Sequence, residues 1–285
     1  MSADLPVPLY PLLYEPLVRR ALEEDLGRAG DLTSDSILPL SLKGEAAIVA
    51  RAAGRVAGLP ASLSAFHLLD PTIEVESGVA DGEDVEKGAV LAHVRGAART
   101  LLTAERTALN LLGRLCGIAT VTREMVRLVE PHGARVVCTR KTTPGLRALE
   151  KYAVRCGGGH NHRFGLDDAV LIKDNHIAFA GGLRPALESA RSAVGHLVKI
   201  EVEVDSLEML REALDLGADV VLLDNMSLEM LREAVAMAKG RAITEASGGI
   251  TPQTAAAIAA TGVDLLSMGW LTHSAPALDV AMDVG

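Results

Sequence analysis

Between Arg135 and Lys173 the chain carries eight cationic side chains: Arg135, Arg140, Lys141, Arg147, Lys151, Arg155, Arg163 and Lys173. Only Glu150, Asp167 and Asp168 oppose them, although the 285 residues together have a formal net charge of −9. A basic window in an acidic chain points to an anionic ligand. Arginine offers a planar, bidentate fork to carboxylate or phosphate, and lysine a movable point charge. Arg140 and Lys141 precede Thr-Thr-Pro-Gly, Arg163 follows Gly-Gly-Gly-His-Asn-His, and Lys173 precedes Asp-Asn-His. These positions are strand ends and loops, where binding groups are usually carried. Arg147, Lys151 and Arg155 are four apart, which also suits a solvated basic helix face.

Further along, Glu203 and Asp224 close two apolar runs, and such carboxylates suit Mg²⁺ on a sugar diphosphate, or ribose hydroxyls needing acceptors. Glu201 shares the face of Glu203 by strand alternation, so the register could slip by one step. Ser247-Gly248-Gly249 follows a strand, with Thr251 as N-cap and Pro252 at the first helical position. Glycines let backbone N–H groups close on an anion, and a helix N-terminus adds positive potential, so a phosphate site is expected here. Ser267-Met268-Gly269 ends the next strand and completes it. His160 and His162 form an HxH pair, but cations rather than carboxylates or thiols are expected around them, which argues against zinc. His162 reads as a donor to a carboxylate, and His160 and His176 as structural.

These residues need elements to hold them. Apolar runs end at Thr139, Lys173, Glu203, Asp224, Ser247 and Met268, and the last four ends are 21–23 residues apart with helical patterns between them. That spacing is a βα repeat and predicts a complete or partial (β/α) barrel, whose chemistry lies at the C-terminal strand ends. Before it, residues 12–26 predict an amphipathic helix, and 43–95 short antiparallel strands with a helix over 61–69. A long helix is expected over about 102–130, interrupted by Gly113 and Gly117 at a domain junction. Arg106 near its start reads equally well as a surface cation. The segment 79–96 is similar to half of a biotinyl or lipoyl carrier domain, which would make a non-catalytic carrier module; it lacks the exposed lysine hairpin that carriers modify.

Composition bounds the rest. One Trp, three Tyr and three Phe leave an aliphatic core, as parallel strands under helices require. An acidic chain with few aromatics is a poor nucleic-acid binder. Cys116, Cys138 and Cys156 have no CxxC spacing, so reduced thiols are expected, in keeping with a cytoplasmic setting. The N-terminal residues have no signal-peptide pattern, and no run has the length of a membrane span.

The motifs TRKTTPGLR (139–147), GGGHNHRFGLDD (157–168) and LIKDNHI (171–177) closely resemble the quinolinate phosphoribosyltransferases, the carboxylating nicotinate-nucleotide pyrophosphorylases. The likeness continues through ALEEDLGRAGDLTSD (21–35), TAERTALNLL (103–112), EVEVDS (201–206), LLDNM (222–226), EASGGI (245–250) and SMGWLTHS (267–274). It implies an incomplete (β/α) barrel at 116–270 and an N-terminal α/β sandwich at 1–115, with the tail 271–285 packing back on the latter. It also implies a transfer of phosphoribosyl from phosphoribosyl pyrophosphate to quinolinate, with decarboxylation and Mg²⁺. A related phosphoribosyltransferase for another heterocyclic acid fits the same spacing. The family's quinolinate pocket matches Arg140, Lys141, His162, Arg163 and Lys173, with Thr139 beside them and Arg106 supplied by a second subunit. Ribose would lie near Glu203 and Asp224, the 5′-phosphate on Ser247, Gly248, Gly249, Ser267, Met268 and Gly269, and pyrophosphate near Lys141 and Lys173. A homodimer with shared sites follows, or a larger assembly of such dimers. One departure stands out: the last motif often has a small residue where this chain has Trp270, which would cap the barrel or lie at the domain contact.

Overall fold

The computed structural model describes residues 6–285 and divides into two compact units. The first takes in the chain up to Arg123, then Thr142–Gly158 and Leu271–Gly285. Its helices are α1 (Glu15–Leu26), α2 (Leu32–Ile37), α3 (Leu59–Leu69), most of α4 (Ala98–Val129) and α5 (Arg147–Cys156). Its strands are β1 (Lys43–Ala50), β2 (Gly54–Arg55), β3 (Glu74–Ser77), β4 (Asp84–Val85) and β5 (Val90–Ala97), and near the end of the chain Val280–Val284. The last strand pairs antiparallel with β1, from Ala46 opposite Val284 to Ala50 opposite Val280, so the tail does return to the sheet that the early strands build.

Two expectations fail here. Gly113 and Gly117 do not interrupt α4, which runs unbroken for 32 residues through the expected boundary at 115/116. A Cβ at Gly117 would lie 2.0 Å from the Pro276 carbonyl oxygen, and one at Gly113 2.8 Å from that of Leu278. The glycines therefore admit the returning tail, at a cost of roughly 1 kcal/mol each inside a helix. The basic face of α5 is solvated only in part: Arg155 is exposed and Arg147 is half-buried. Lys151 is 1% exposed, and the neighbouring Glu150 is fully buried, accepting from Arg114 (2.9 Å) and from the Thr143 amide (2.9 Å) and hydroxyl (2.8 Å).

The second unit is the barrel, Glu124–Lys141 and Gly159–Trp270. Its strands are β6 (Arg135–Val137), β7 (Val170–Ile172), β8 (Ile200–Val204), β9 (Val220–Asp224), β10 (Ile243–Ser247) and β11 (Leu265–Ser267), which leaves β12 as the tail strand of the first unit. They form one parallel sheet in the order β6-β11-β10-β9-β8-β7, so β6 and β7 are its two edges and the barrel is open between them. The segment joining those edges contains α5, which belongs to the other unit. Among the described residues a single bridge, Val137 with His160, begins to cover the β6 edge.

The helices of the repeat are α6 (Asp174–Ala180), α7 (Leu183–Ala193), α8 (Leu207–Asp215), α9 (Leu228–Ala238) and α10 (Pro252–Ala259), while the short α11 (Trp270–His273) lies in the first unit from Leu271 on. The octapeptide SLEMLREA occurs twice, at 206–213 and 227–234, and starts α8 and α9 alike. Each copy opens on a serine whose hydroxyl accepts from the backbone three residues on (Met209, 3.4 Å; Met230, 3.2 Å), the N-cap that starts a helix. Each then buries Leu and Ala at helical spacing, Leu210 with Ala213 and Leu231 with Ala234, against the sheet. Among the described residues no helix is long and apolar enough to cross a membrane.

Candidate active site

Strand register decides which side chains share a face. Glu203 lies opposite Leu222, Glu245 opposite both Leu222 and Leu265, Ser247 opposite Asp224, and Leu171 opposite Glu201. With alternation along each strand, Glu201, Glu203, Asp224, Glu245, Ser247 and Ser267 all face the barrel axis. Val202, Val204, Val221, Leu223, Ala246 and Leu266 take the other face, none more than 2% exposed. An ordinary barrel interior is filled by branched aliphatic side chains. Here it is lined with carboxylates and hydroxyls.

At the C-terminal rim the charged groups meet. The Lys173 ammonium is in close ion-pair contact with Glu203. Its backbone N–H donates to His176 Nδ1 (3.0 Å), which fixes the start of α6 and gives His176 a structural role. His160 is structural as well, its N–H donating to the Val136 carbonyl (2.8 Å) and its carbonyl accepting from Cys138 (3.1 Å). After β6, the Lys141 amide donates to Thr139 Oγ1 at 3.1 Å, and Arg140 and Lys141 are exposed. Gly269 packs on this turn, since a Cβ there would stand 2.7 Å from the Lys141 side chain and 3.3 Å from Thr139 Oγ1. Arg163 is half-buried, and burial followed by the nearby charge of Arg140 holds its pKa below the ordinary arginine value. Two guanidinium groups close enough to repel each other at a barrel mouth favour an anion between them.

The Ser247–Gly249 turn is left-handed at Gly248 (φ 95°) and Gly249 (φ 57°). A Cβ on Gly248 would come within 2.1 Å of Asn225 Oδ1, so the turn lies directly on the end of β9. Asn225, itself at φ 53°, donates its amide to the Ser247 carbonyl (2.9 Å) and its side-chain NH₂ to Asp224 Oδ2 (2.8 Å). Thr251 and Thr254 form the capping box that begins α10. Ser267 and Met268 are buried, and the Met268 amide donates to the Val137 carbonyl (3.1 Å), so these two brace the rim while Gly248 and Gly249 line it. Arg106 lies on α4 of the first unit, its side chain 64% exposed and 3.5 Å from Glu105.

His162 corrects an expectation. Carboxylates do surround it: Nε2 is 2.8 Å from Glu201 and 3.7 Å from Glu245, and the three form a tight cluster inside the barrel. Its Nδ1 accepts the Arg163 amide at 2.7 Å, so the ring proton sits on Nε2 and is donated to Glu201. A nitrogen carrying that proton does not ligate a metal. Burial, then the charge of Glu201, pushes the Glu245 carboxyl up to about 7. The other oxygen of Glu201 and Oε1 of Glu245 are buried without a hydrogen-bond partner. Glu245 escaped the sequence reading, although it stands two residues before Ser247 and so shares its face.

An open parallel barrel with a cationic rim and a glycine turn at a helix start carries the kinds of group that bind anions and phosphates. Residues 31–116 match the quinolinate phosphoribosyl transferase N-terminal domain, and 118–283 the C-terminal domain of the same family. The chain belongs to the quinolinate phosphoribosyltransferase family. A probable carboxylating nicotinate-nucleotide pyrophosphorylase of Bacillus subtilis is 49% identical over 92% of this chain and 90% of its own. Quinolinate phosphoribosyltransferase [decarboxylating] 2b of Nicotiana tabacum is 40% identical over 99% and 86%. The crystal structure of NadC from Streptococcus pyogenes superposes with a TM-score of 0.94 at 38% identity, over 98% of this chain and 99% of that one.

Proposed function

We infer that this chain transfers the phosphoribosyl group of phosphoribosyl pyrophosphate to quinolinate, releasing pyrophosphate and carbon dioxide and leaving nicotinate mononucleotide. Family membership over nearly the whole chain carries the reading. In it, Arg140, Arg163 and Lys173 hold the two carboxylates of the pyridine, with Lys141 and Thr139 on the same turn. Asp224 and Glu203 face the ribose, and the Ser247–Gly249 turn, supported by Ser267, Met268 and Gly269, takes the 5′-phosphate on backbone N–H groups.

Glu203 and Asp224 also fit Mg²⁺. They are hard oxygen donors on the inner face, and among the described residues neither belongs to a cluster of three ligands; Mg²⁺ is commonly held by one or two carboxylates plus substrate phosphates. When bound with the pyrophosphate, the ion would neutralise charge that develops on the leaving group. Lys141 and Lys173 do the same from fixed positions. The pyridine nitrogen bonds to the anomeric carbon as the carbon–oxygen bond to pyrophosphate breaks. The nitrogen is then quaternary. The adjacent ring-to-carboxylate bond can break, carbon dioxide leaves, and the electron pair remaining on the ring carbon takes a proton from water. Neither step needs a general base from the protein, and His162, held against Glu201, is placed as a support for Arg163.

Quinolinate labelled in the carboxylate beside the nitrogen tests this with phosphoribosyl pyrophosphate and Mg²⁺. Carbon dioxide and nicotinate mononucleotide should appear in equal amounts. Turnover of nicotinate without carbon dioxide would assign the chain to another heterocyclic acid. The reading includes a cytoplasmic homodimer, without nucleic-acid or membrane partners, in which Arg106 of the partner subunit completes each site. Arg106→Ala and Lys173→Ala, each inactive alone, should on subunit exchange recover about one quarter of wild-type activity, because random pairing gives half hybrids with one intact site each. No recovery after verified exchange would return Arg106 to the surface.

A further inference from the structure

The indole N–H of Trp270 donates to the Ile250 carbonyl at 2.9 Å. Ile250 directly follows Gly249 and is 4% exposed. Seen along the chain, the Ser247–Gly249 turn is therefore latched from both sides. Asn225, at the end of β9, holds its first half through the Ser247 carbonyl and the close approach at Gly248. Trp270, three residues beyond the end of β11, holds its second half through Ile250. Two consecutive left-handed residues between these latches have no side chain to fix them, so the backbone N–H groups depend on the latches for their direction.

We propose that Trp270 is a positioning residue of the phosphate turn, acting through Ile250, and that its emission senses occupancy of that turn. The proposal rests on the reading of Ser247–Gly249 as the 5′-phosphate site. Because Trp270 is the single tryptophan among 285 residues, no other indole contributes to the signal.

The experiment has three arms. Wild-type enzyme is titrated with ribose 5-phosphate and, separately, with quinolinate while tryptophan emission is read. The 5-phosphate should shift the emission saturably, and quinolinate alone should leave it nearly unchanged; no shift with the 5-phosphate overturns the proposal, whether or not any variant folds. Trp270→Phe keeps a ring and removes the N–H. It should raise KM for phosphoribosyl pyrophosphate about two- to tenfold, the worth of one neutral hydrogen bond. KM for quinolinate and the unfolding midpoint should stay near wild type. Equal rises in both KM values, or none in either, overturn the positioning role. Gly248→Ala, whose Cβ would strike Asn225, separates the two ideas. If it leaves KM for phosphoribosyl pyrophosphate unchanged, the phosphate turn itself is misassigned. If it raises that KM while Trp270→Phe does not, the turn stands and the role of Trp270 falls.

Discussion

The two faces of the six-stranded sheet are made by the same strands, one residue out of step, and have opposite chemistry. Outward, Val202, Val204, Val221, Leu223, Ala246 and Leu266 are packed under helices. Each fully buried Val or Leu side chain on that face is worth about 1.5–3 kcal/mol relative to exposure. Inward, Glu201 and Glu245 gather around His162, Glu203 pairs with Lys173, and Asp224 accepts from Asn225. Stability is drawn from one face and placed at risk on the other. Local strain and unpaired polar atoms are tolerated where they serve binding, provided that the surroundings over-determine them.

The largest effect should come from the outer face. Leu223→Ala removes a fully buried side chain and should cost about 2–5 kcal/mol of unfolding free energy. The folded enzyme should keep its kcat/KM within about twofold, a split that denaturant melts and kinetics on the same sample would reveal. A large catalytic loss would mean that the faces are not independent.

Next is Asp224→Asn on the inner face. Replacing a charged acceptor by an amide should lower kcat/KM for phosphoribosyl pyrophosphate roughly 10–100-fold, the value of a charge-assisted hydrogen bond. Unfolding and quinolinate binding should change little. Equal loss of both ligands in separate titrations would signal general damage instead.

The smallest effect belongs to Glu245. Its folded pKa lies near 7, above the ordinary glutamate value, because burial and Glu201 oppose its charge. The native state thus holds its proton more tightly than the unfolded chain does, and the associated stability is present below about pH 4.5 and lost as pH rises toward 7. Between pH 5 and 7 the wild type should lose stability relative to Glu245→Gln, which has no proton to give up. Parallel stability curves for the two proteins would show that Glu245 is already ionised at pH 5.

Much of this contrast was legible in the sequence. The runs before Glu203, Asp224 and Ser247 announced their strands because apolar residues stop where the chain leaves the sheet. Lys173 and Glu203 came out as rim residues for the same reason. The His162–Glu201–Glu245 cluster did not, because its members come from a loop and two strands that are not neighbours in the sheet. Alternation fixes a face, but not what reaches across a barrel. The excursion of α5 out of the barrel was equally hidden, since an amphipathic helix of ten residues has the same pattern whichever core it joins. Gly113 and Gly117 misled because a glycine admitting a backbone neighbour and a glycine ending a helix are the same letter.

The pairing of β12 with β1 has a consequence for synthesis. Residues 280–284 close the outer edge of a strand that begins at Lys43. At a translation rate of about 5–20 residues per second, β1 waits on the order of tens of seconds for its neighbour. During that interval β5 can cover one side, but the other presents free amides and carbonyls to any passing strand. The buried half of β1, Ile48 to Ala50, is the stretch most open to misplaced pairing. A strand translated early is thus among the last of its sheet to be paired on both sides, and that edge stays open until Val280–Val284 have been made.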